Sequence, residues 1–215
     1  MKKDNTKALS MWNGWFRGKR GVPIYDAWLD DYSEELESHR QEKMLDLGCG
    51  MGADTFYLLE RGYDVLSVDY SMEGLRSMID HIPSCRATYL DMNEPFPLED
   101  ESFGVIVADI SLHYFDAETT RSIMREIKRI LKSGGVLLAR VSSMNDTDYG
   151  AGSGRQLEPR FFDHGGYAQR YFTEEDVQTF FGMIGNVEFR ETAMTRKEPF
   201  YSRPKMLYQI KTIKK

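Results

Sequence analysis

The chain has 215 residues, 41% of them hydrophobic and 29% charged, which suits a globular protein with room for one full core. Its net charge of −6 argues against a nucleic-acid partner, because a phosphate-backbone binder usually presents a basic face. Two cysteines, Cys49 and Cys85, are too few for a disulfide framework or a metal cluster, so no metal is expected.

The basic residues gather at the two ends, Lys2, Lys3, Lys7, Arg17, Lys19 and Arg20, then Lys211, Lys214 and Lys215, where solvation accounts for them. No apolar run approaches the ~20 residues of a membrane span. The basic N-terminus lacks a signal-peptide core, since Trp12, Asn13, Gly14 and Trp15 interrupt it. The expectation is a cytoplasmic protein without a membrane partner, monomeric or homodimeric.

In chain order, apolar Ile24, Ala27, Trp28, Tyr32 and Leu36 recur at helical spacing and predict a helix over 24–39. A strand at 43–47, a helix at 53–61, a strand at 64–69 and a helix at 72–80 follow. Next come a weakly patterned strand at 86–90 and a strongly apolar one at 103–109. Ile123, Ile127, Ile130 and Leu131 mark a helix over 117–131, which Ser133-Gly134-Gly135 stops, and 136–141 reads as a buried strand. Strands separated by helices of this length imply βαβ units and a parallel sheet. Residues 142–171, rich in Gly, Asp, Tyr and Arg, show no periodicity and read as a long lid loop. Thr173 is placed to cap a helix over 173–182, ahead of Glu174, Glu175 and Asp176. Strands at 186–193 and 205–213 would close one sheet edge in antiparallel fashion. With no repeat and no linker, a single domain over 1–215 is expected, its N-terminal arm and helix (1–40) covering the site.

The stretch Met44-Leu45-Asp46-Leu47-Gly48-Cys49-Gly50-Met51-Gly52 carries the most chemistry. A short apolar strand breaks into glycine at every second position just before a helix. Glycine lets backbone approach a ligand closely, and the helix start offers free N–H groups. A nucleotide-like cofactor fits there. Gly48-Cys49-Gly50-Met51-Gly52-Ala53 satisfies the G-x-G-x-x-A variant of the dinucleotide fingerprint, with Asp69 poised for a ribose hydroxyl, so a nicotinamide enzyme is one reading. Asp46, two residues before the first glycine, instead favours an ammonium and sulfonium ligand over a pyrophosphate, which it would repel. Asp91 in Tyr89-Leu90-Asp91-Met92 can accept an adenine amino group. The run Asp109-Ile110-Ser111-Leu112-His113-Tyr114-Phe115 adds a polar and aromatic cluster at the carboxyl edge of the sheet, where ligands bind in such folds.

Together these segments resemble the class I S-adenosylmethionine-dependent methyltransferases. LDLGCGMG is similar to that family's first motif, VDYS to its ribose-binding acid, LDMNEPFP to its adenine segment, FGVIVADISLHYF to its fourth motif, and LKSGGVLLARV to the turn and strand that follow. More loosely, SSMNDTDYGAGSG and YFTEEDV are similar to small-molecule methyltransferases of the tellurite-resistance and thiopurine type. The resemblance implies a Rossmann-like α/β fold, a doubly wound seven-stranded sheet in the order 3-2-1-4-5-7-6 with the last strand antiparallel and helices on both faces. It implies S-adenosylmethionine as cofactor and a small-molecule methyl acceptor. Protein or RNA methylation, a nicotinamide-dependent reductase and a noncatalytic cofactor-binding protein stand as alternatives.

Carried onto this chain, the resemblance gives the methionine part of the cofactor to Gly48, Cys49, Gly50 and Gly52, with Asp46 orienting its amine. Cys49 serves there as a small apolar filler. Asp69 would take the ribose, followed by Tyr70 and by Ser71, which is equally suited to cap the next helix. Asp91 and Met92 would hold adenine, and Asp109, Ile110 and Ser111 would face the methionine through backbone atoms. His113, titratable near neutrality, is the candidate base or substrate contact, with Tyr114 beside it. The acceptor would meet Trp12, Tyr25, Trp28, Arg140, Asn145, Tyr149 and Arg170. The N-terminal arm and the 142–171 segment, glycine-punctuated and aromatic, are expected to close over the cofactor when substrate binds.

Overall fold

The structure, a computed structural model, describes residues 6–17, 23–194 and 203–215. The basic positions Lys2, Lys3, Lys19 and Arg20 lie outside these residues. The main sheet is built from β1 (Met44–Leu47), β2 (Val65–Asp69), β3 (Arg86–Tyr89), β4 (Phe103–Asp109), β5 (Leu131–Ser142), β9 (Gly185–Ala193) and β10 (Met206–Lys214). Three short strands, β6 (Arg155–Glu158), β7 (Phe161–Asp163) and β8 (Ala168–Arg170), form a separate antiparallel sheet. The helices are α1 (Thr6–Phe16), α2 (Ser33–Ser38), α3 (Ala53–Glu60), α4 (Met72–His81), α5 (Ala117–Ile130) and α6 (Glu174–Phe181).

The seven-stranded order is β3-β2-β1-β4-β5-β10-β9, with β10 antiparallel to both neighbours, as the resemblance implies. Alternation along the strands sorts the core into two layers. From β4, Phe103, Ile106 and Ala108 pack on one face with Ile123, Met124 and Ile127 of α5 and Val177, Phe180 and Phe181 of α6. Val105 and Val107 point to the other face, among Trp28, Leu29, Leu36, Tyr57 and Leu58. A strand buried on both faces must be apolar at every position, which is why 103–109 was the clearest strand in the sequence.

Three expectations need correction. The helix over 24–39 is instead an irregular stretch through Ala27, a 3₁₀ turn over Trp28–Tyr32, and only then α2. The apolar spacing there serves burial of Trp28, Leu29 and Leu36, which a broken helix achieves equally well. Strand β5 begins at Leu131 rather than 136. Pairing steps from Phe103↔Leu131 to Val105↔Val136, so Ser133-Gly134-Gly135 bulges out of a continuing strand. The 142–171 segment is not a plain loop, since it holds β6, β7 and β8, which are too short to show a period.

Candidate active site

The carboxyl ends of β1, β2, β4 and β5 converge on one edge. Gly48, Gly50 and Gly52 follow β1 with φ of 84°, 54° and 83°, a region closed to most side chains. A Cβ on Gly48 would lie 2.4 Å from Ser111 Cβ, and one on Gly52 2.5 Å from Met78 Sδ. Glycine is therefore required by space as well as by backbone angle. Met92 also reaches this turn, its Cε 3.1 Å from the same point above Gly48. The sequence-expected loops of β1, β3 and β4 thus meet.

Asp69 is buried, and both its oxygens are engaged by backbone. Gly50 N–H donates to Oδ2 at 2.9 Å and Ser71 N–H to Oδ1 at 2.7 Å. Burial raises its carboxyl above the usual range, and these N–H groups offset part of that. Ser71 caps α4, accepting from Gly74 N–H at 3.2 Å, and donates to Asn13 Oδ1 at 2.7 Å. Tyr70 is half-buried, its phenol pushed up by burial and by Asp69. Asp91 folds an Asx turn with Asn93, accepting from its backbone N–H at 2.9 Å.

Asp46 sits beneath the glycine turn, 2% exposed, and accepts a 2.6 Å hydrogen bond from Thr55 Oγ1. Burial pushes its carboxyl up to about 7, against the Thr55 bond and with help from Asp109 and Asp69. Cys49 is held as a thiol, since burial and Asp46 drive it well above its ordinary range. At the end of β4, Ile110 adopts φ 52°, an outlier for a β-branched residue, with its N–H on Arg140 O at 3.0 Å. Ser111 Oγ donates to Leu47 O at 2.7 Å, tying the β4 turn to β1.

His113 is fully buried. Its Nδ1 accepts from Ser142 N–H at 3.2 Å, so the neutral ring carries its proton on Nε2, which has no hydrogen-bond partner among the described residues. Burial and the charge of Lys205 hold its pKa well below the ordinary value. Tyr114 packs edge-on against His113 at 4.4 Å and against Trp12 of α1 at 5.1 Å. Phe16 lies 3.2 Å above the place of a Gly50 Cβ, so α1 roofs the glycine turn and the start of α4.

The expected acceptor-side residues scatter. Trp12 and Tyr149 stand beside the site, Tyr149 with its ring 4.9 Å from Lys205 Nζ. Arg140 does not face a cavity. Its guanidinium, 2% exposed, donates to Asp109 (2.6 and 2.8 Å) and Asp26 (2.7 and 3.1 Å) and lies 4.7 Å from the Trp28 ring. Trp28 is core, its Nε1 bonded to Asp54 at 2.9 Å. Tyr25 bonds Glu60 on the outer side of α3, Asn145 bonds Glu191, and Arg170 is buried against Glu158 and Phe161. Sequence reasoning missed Lys205 and Asp26. The parity of β5 held the signal for Arg140, which falls on the same face as Val136 and Leu138, within the core.

Residues 45–139 match the model of the methyltransferase domain family. Over that segment the chain is similar to the methyltransferase domain family, and its sheet order is the one that resemblance implies. The chain is 32% identical over 104 residues to an uncharacterized methyltransferase of Synechocystis, 48% of each chain. It is 29% identical over 176 residues to the tRNA N(3)-cytidine methyltransferase METTL2 of Danio rerio, 73% of this chain and 47% of that one. The chain spans about half the length of these curated relatives. A solved S-adenosylmethionine-dependent methyltransferase from Clostridium acetobutylicum shares the fold, with a TM-score of 0.65 at 17% identity, covering 98% of this chain and 99% of the other. The site suits S-adenosylmethionine: a Cβ at Gly48 or Gly52 would meet Ser111 or Met78 within 2.5 Å, and the Asp69 and Asp109 carboxylates both act on the buried Asp46. Among the described residues no helix is long and apolar enough to cross a membrane.

Proposed function

We propose that this chain transfers a methyl group from S-adenosylmethionine to a small-molecule acceptor, within one domain covered by α1 and the 142–171 segment. The cofactor supplies an electrophilic methyl on a sulfonium. Gly48, Gly50 and Gly52 would admit its methionine part, Asp46 its ammonium, Asp69 its ribose, and Asp91 with Met92 its adenine. Backbone groups of Asp109, Ile110 and Ser111 would complete the cradle. His113, neutral and protonated on Nε2, serves as a hydrogen-bond donor to the acceptor rather than as a base, because Ser142 N–H already occupies its other nitrogen. Catalysis then rests on holding the acceptor atom in line with the methyl in a water-poor site.

Enclosure carries the small-molecule reading. His113 lies at 0% exposure beneath Tyr114, which is flanked by Trp12 of α1 and by Tyr167 at 6.2 Å. Such a roof fits a compact acceptor better than a polymer, and the net charge of −6 points the same way. The METTL2 relative favours RNA as the second reading. Two experiments separate them. Calorimetric titration with S-adenosylmethionine should show binding that Asp69→Ala abolishes, while NADH and NADPH give none. Transfer of labelled methyl is then followed into a small-metabolite extract and, in parallel, into total tRNA. Label in tRNA alone would overturn the small-molecule assignment.

A further inference from the structure

Three buried polar groups beside the cofactor cradle have no role in holding the cofactor. Lys205, just before β10, is 6% exposed, an unusual place for an ammonium. Its Nζ lies 3.7 Å from Asp146 Oδ2, an ion-pair distance beyond hydrogen-bond reach. Asp146 is 1% exposed. Its Oδ1 accepts from Met206 N–H at 3.0 Å, and its Oδ2 has no hydrogen-bond partner among the described residues. The third group is the Nε2–H of His113, fully buried and likewise unmatched.

The Asp146 Oδ2 and the His113 Nε2–H each cost stability where they stand, because a buried acceptor or donor loses its water without replacement. The three belong to one place. Ser142 N–H bonds His113 Nδ1, and Ser142 pairs with Leu207, two residues beyond Lys205, so the three side chains gather where β5 meets β10. The Ser143 N–H bond to Met206 O and the Asp146 bond to Met206 N–H fasten the end of β5 to the start of β10 around them. This is the acceptor side of the site, next to the end of β4.

We propose that Lys205 and the Nε2–H of His113 form a subsite for a singly charged anionic oxygen, a carboxylate on the methyl acceptor, with Asp146 holding Lys205 in position. The inference deepens the methyltransferase reading and rests on it. The polarity selects the ligand class. An ammonium-bearing acceptor would meet a like charge on Lys205 and a donor, not an acceptor, on His113. A doubly charged phosphate would meet a single ammonium, itself already paired with Asp146. A carboxylate gains two charge-assisted bonds and satisfies the His113 proton.

The test uses the full chain loaded with S-adenosylhomocysteine and labelled with 15N-histidine. Benzoate, acetate and glycolate are titrated against their amides, with benzylamine and inorganic phosphate as further arms, and the His113 Nε2–H resonance is followed. At least one carboxylate, and not its amide, should shift that resonance. Its affinity should fall roughly tenfold or more in Lys205→Met and recover in part in Lys205→Arg. Equal response to amide, amine or phosphate overturns the proposal, as does silence from every carboxylate. Should Lys205→Met fail to fold, the carboxylate-versus-amide contrast on the wild-type chain decides alone. If S-adenosylhomocysteine does not bind, the titrations are repeated on the free protein, so this inference and the cofactor reading fail separately.

Discussion

Replacing Arg140 by Met separates the two roles a buried arginine at a site edge can have. The guanidinium bridges two carboxylates, Asp109 on β4 and Asp26 ahead of the 3₁₀ turn, through four hydrogen bonds of 2.6–3.1 Å, with side chains 2%, 8% and 4% exposed. Methionine fills much of the same volume but strips two buried carboxylates of their four guanidinium hydrogen bonds. Breaking a buried pair in this way costs about 3–5 kcal/mol. For a chain of this size each kcal/mol moves the melting temperature by about 2–4 °C, so Arg140→Met should melt roughly 6–20 °C below the wild type. Arg140→Met with Asp26→Asn removes one orphaned charge and should recover part of that loss. Thermal melts at pH 7.5, followed by circular dichroism, give the readout. A melting temperature within 2 °C of the wild type, coupled to a raised acceptor KM, would refute the structural reading and restore Arg140 as a substrate contact.

Asp46, poised at about 7 by burial, should make cofactor affinity fall as pH drops from 7 to 5.5, because a protonated carboxyl cannot pair with the cofactor's ammonium. The slope approaches about tenfold per pH unit, and the cofactor's own amine, near 7.7–8.0, sets the upper limb; calorimetry across pH should show Asp46→Asn both weaker and flat on the acid side. Stability runs the opposite way: an acid whose folded pKa is raised favours the folded state least above that pKa, so Asp46→Asn should raise the melting temperature at pH 8 more than at pH 5. Burial holds the His113 pKa well below its ordinary value, so a limb near 6.5 in kcat that vanishes in His113→Asn would contradict its assignment as a donor. Gly52→Ala combines a φ of 83° with a Cβ 2.5 Å from Met78, and should cost about 2–4 kcal/mol in urea unfolding. If α1 closes over bound cofactor, S-adenosylhomocysteine should slow hydrogen exchange across residues 9–16, and unchanged exchange would discard the lid.

Sequence periodicity sufficed wherever burial was two-sided or amphipathic. β4 and α5 were recognisable because every inward position is apolar, and their bounds fall within one residue of expectation. The turn chemistry was equally legible: Thr173 and Asp176 form the expected cap and its reciprocal bond. Failure came where tertiary contact replaces local pattern. Strands β6, β7 and β8 have three or four residues each, so no period can develop. Nothing in the sequence singles out Lys205 at the start of the strand expected over 205–213, and its burial comes from tertiary packing beside β5. Arg140 was misassigned because a charged residue near an active edge invites a ligand role, while its strand parity already placed it among Val136 and Leu138.

The buried charges also explain how the site's least comfortable backbone is held. Ile110 at φ 52° would relax if the chain around it could move. It cannot, because the preceding Asp109 carboxylate is gripped by Arg140, the Ile110 N–H is bonded to the Arg140 carbonyl, and the following Ser111 hydroxyl is bonded to Leu47 O. One residue of β5 therefore fixes side chain and main chain of the same turn. Asp26 extends that hold to the segment leading into the 3₁₀ turn, whose Trp28 in turn anchors Asp54 at the start of α3. Stability and cofactor-cradle geometry are thus carried by one set of contacts. A loss at Arg140 should appear in the melting curve first and in cofactor affinity as its consequence.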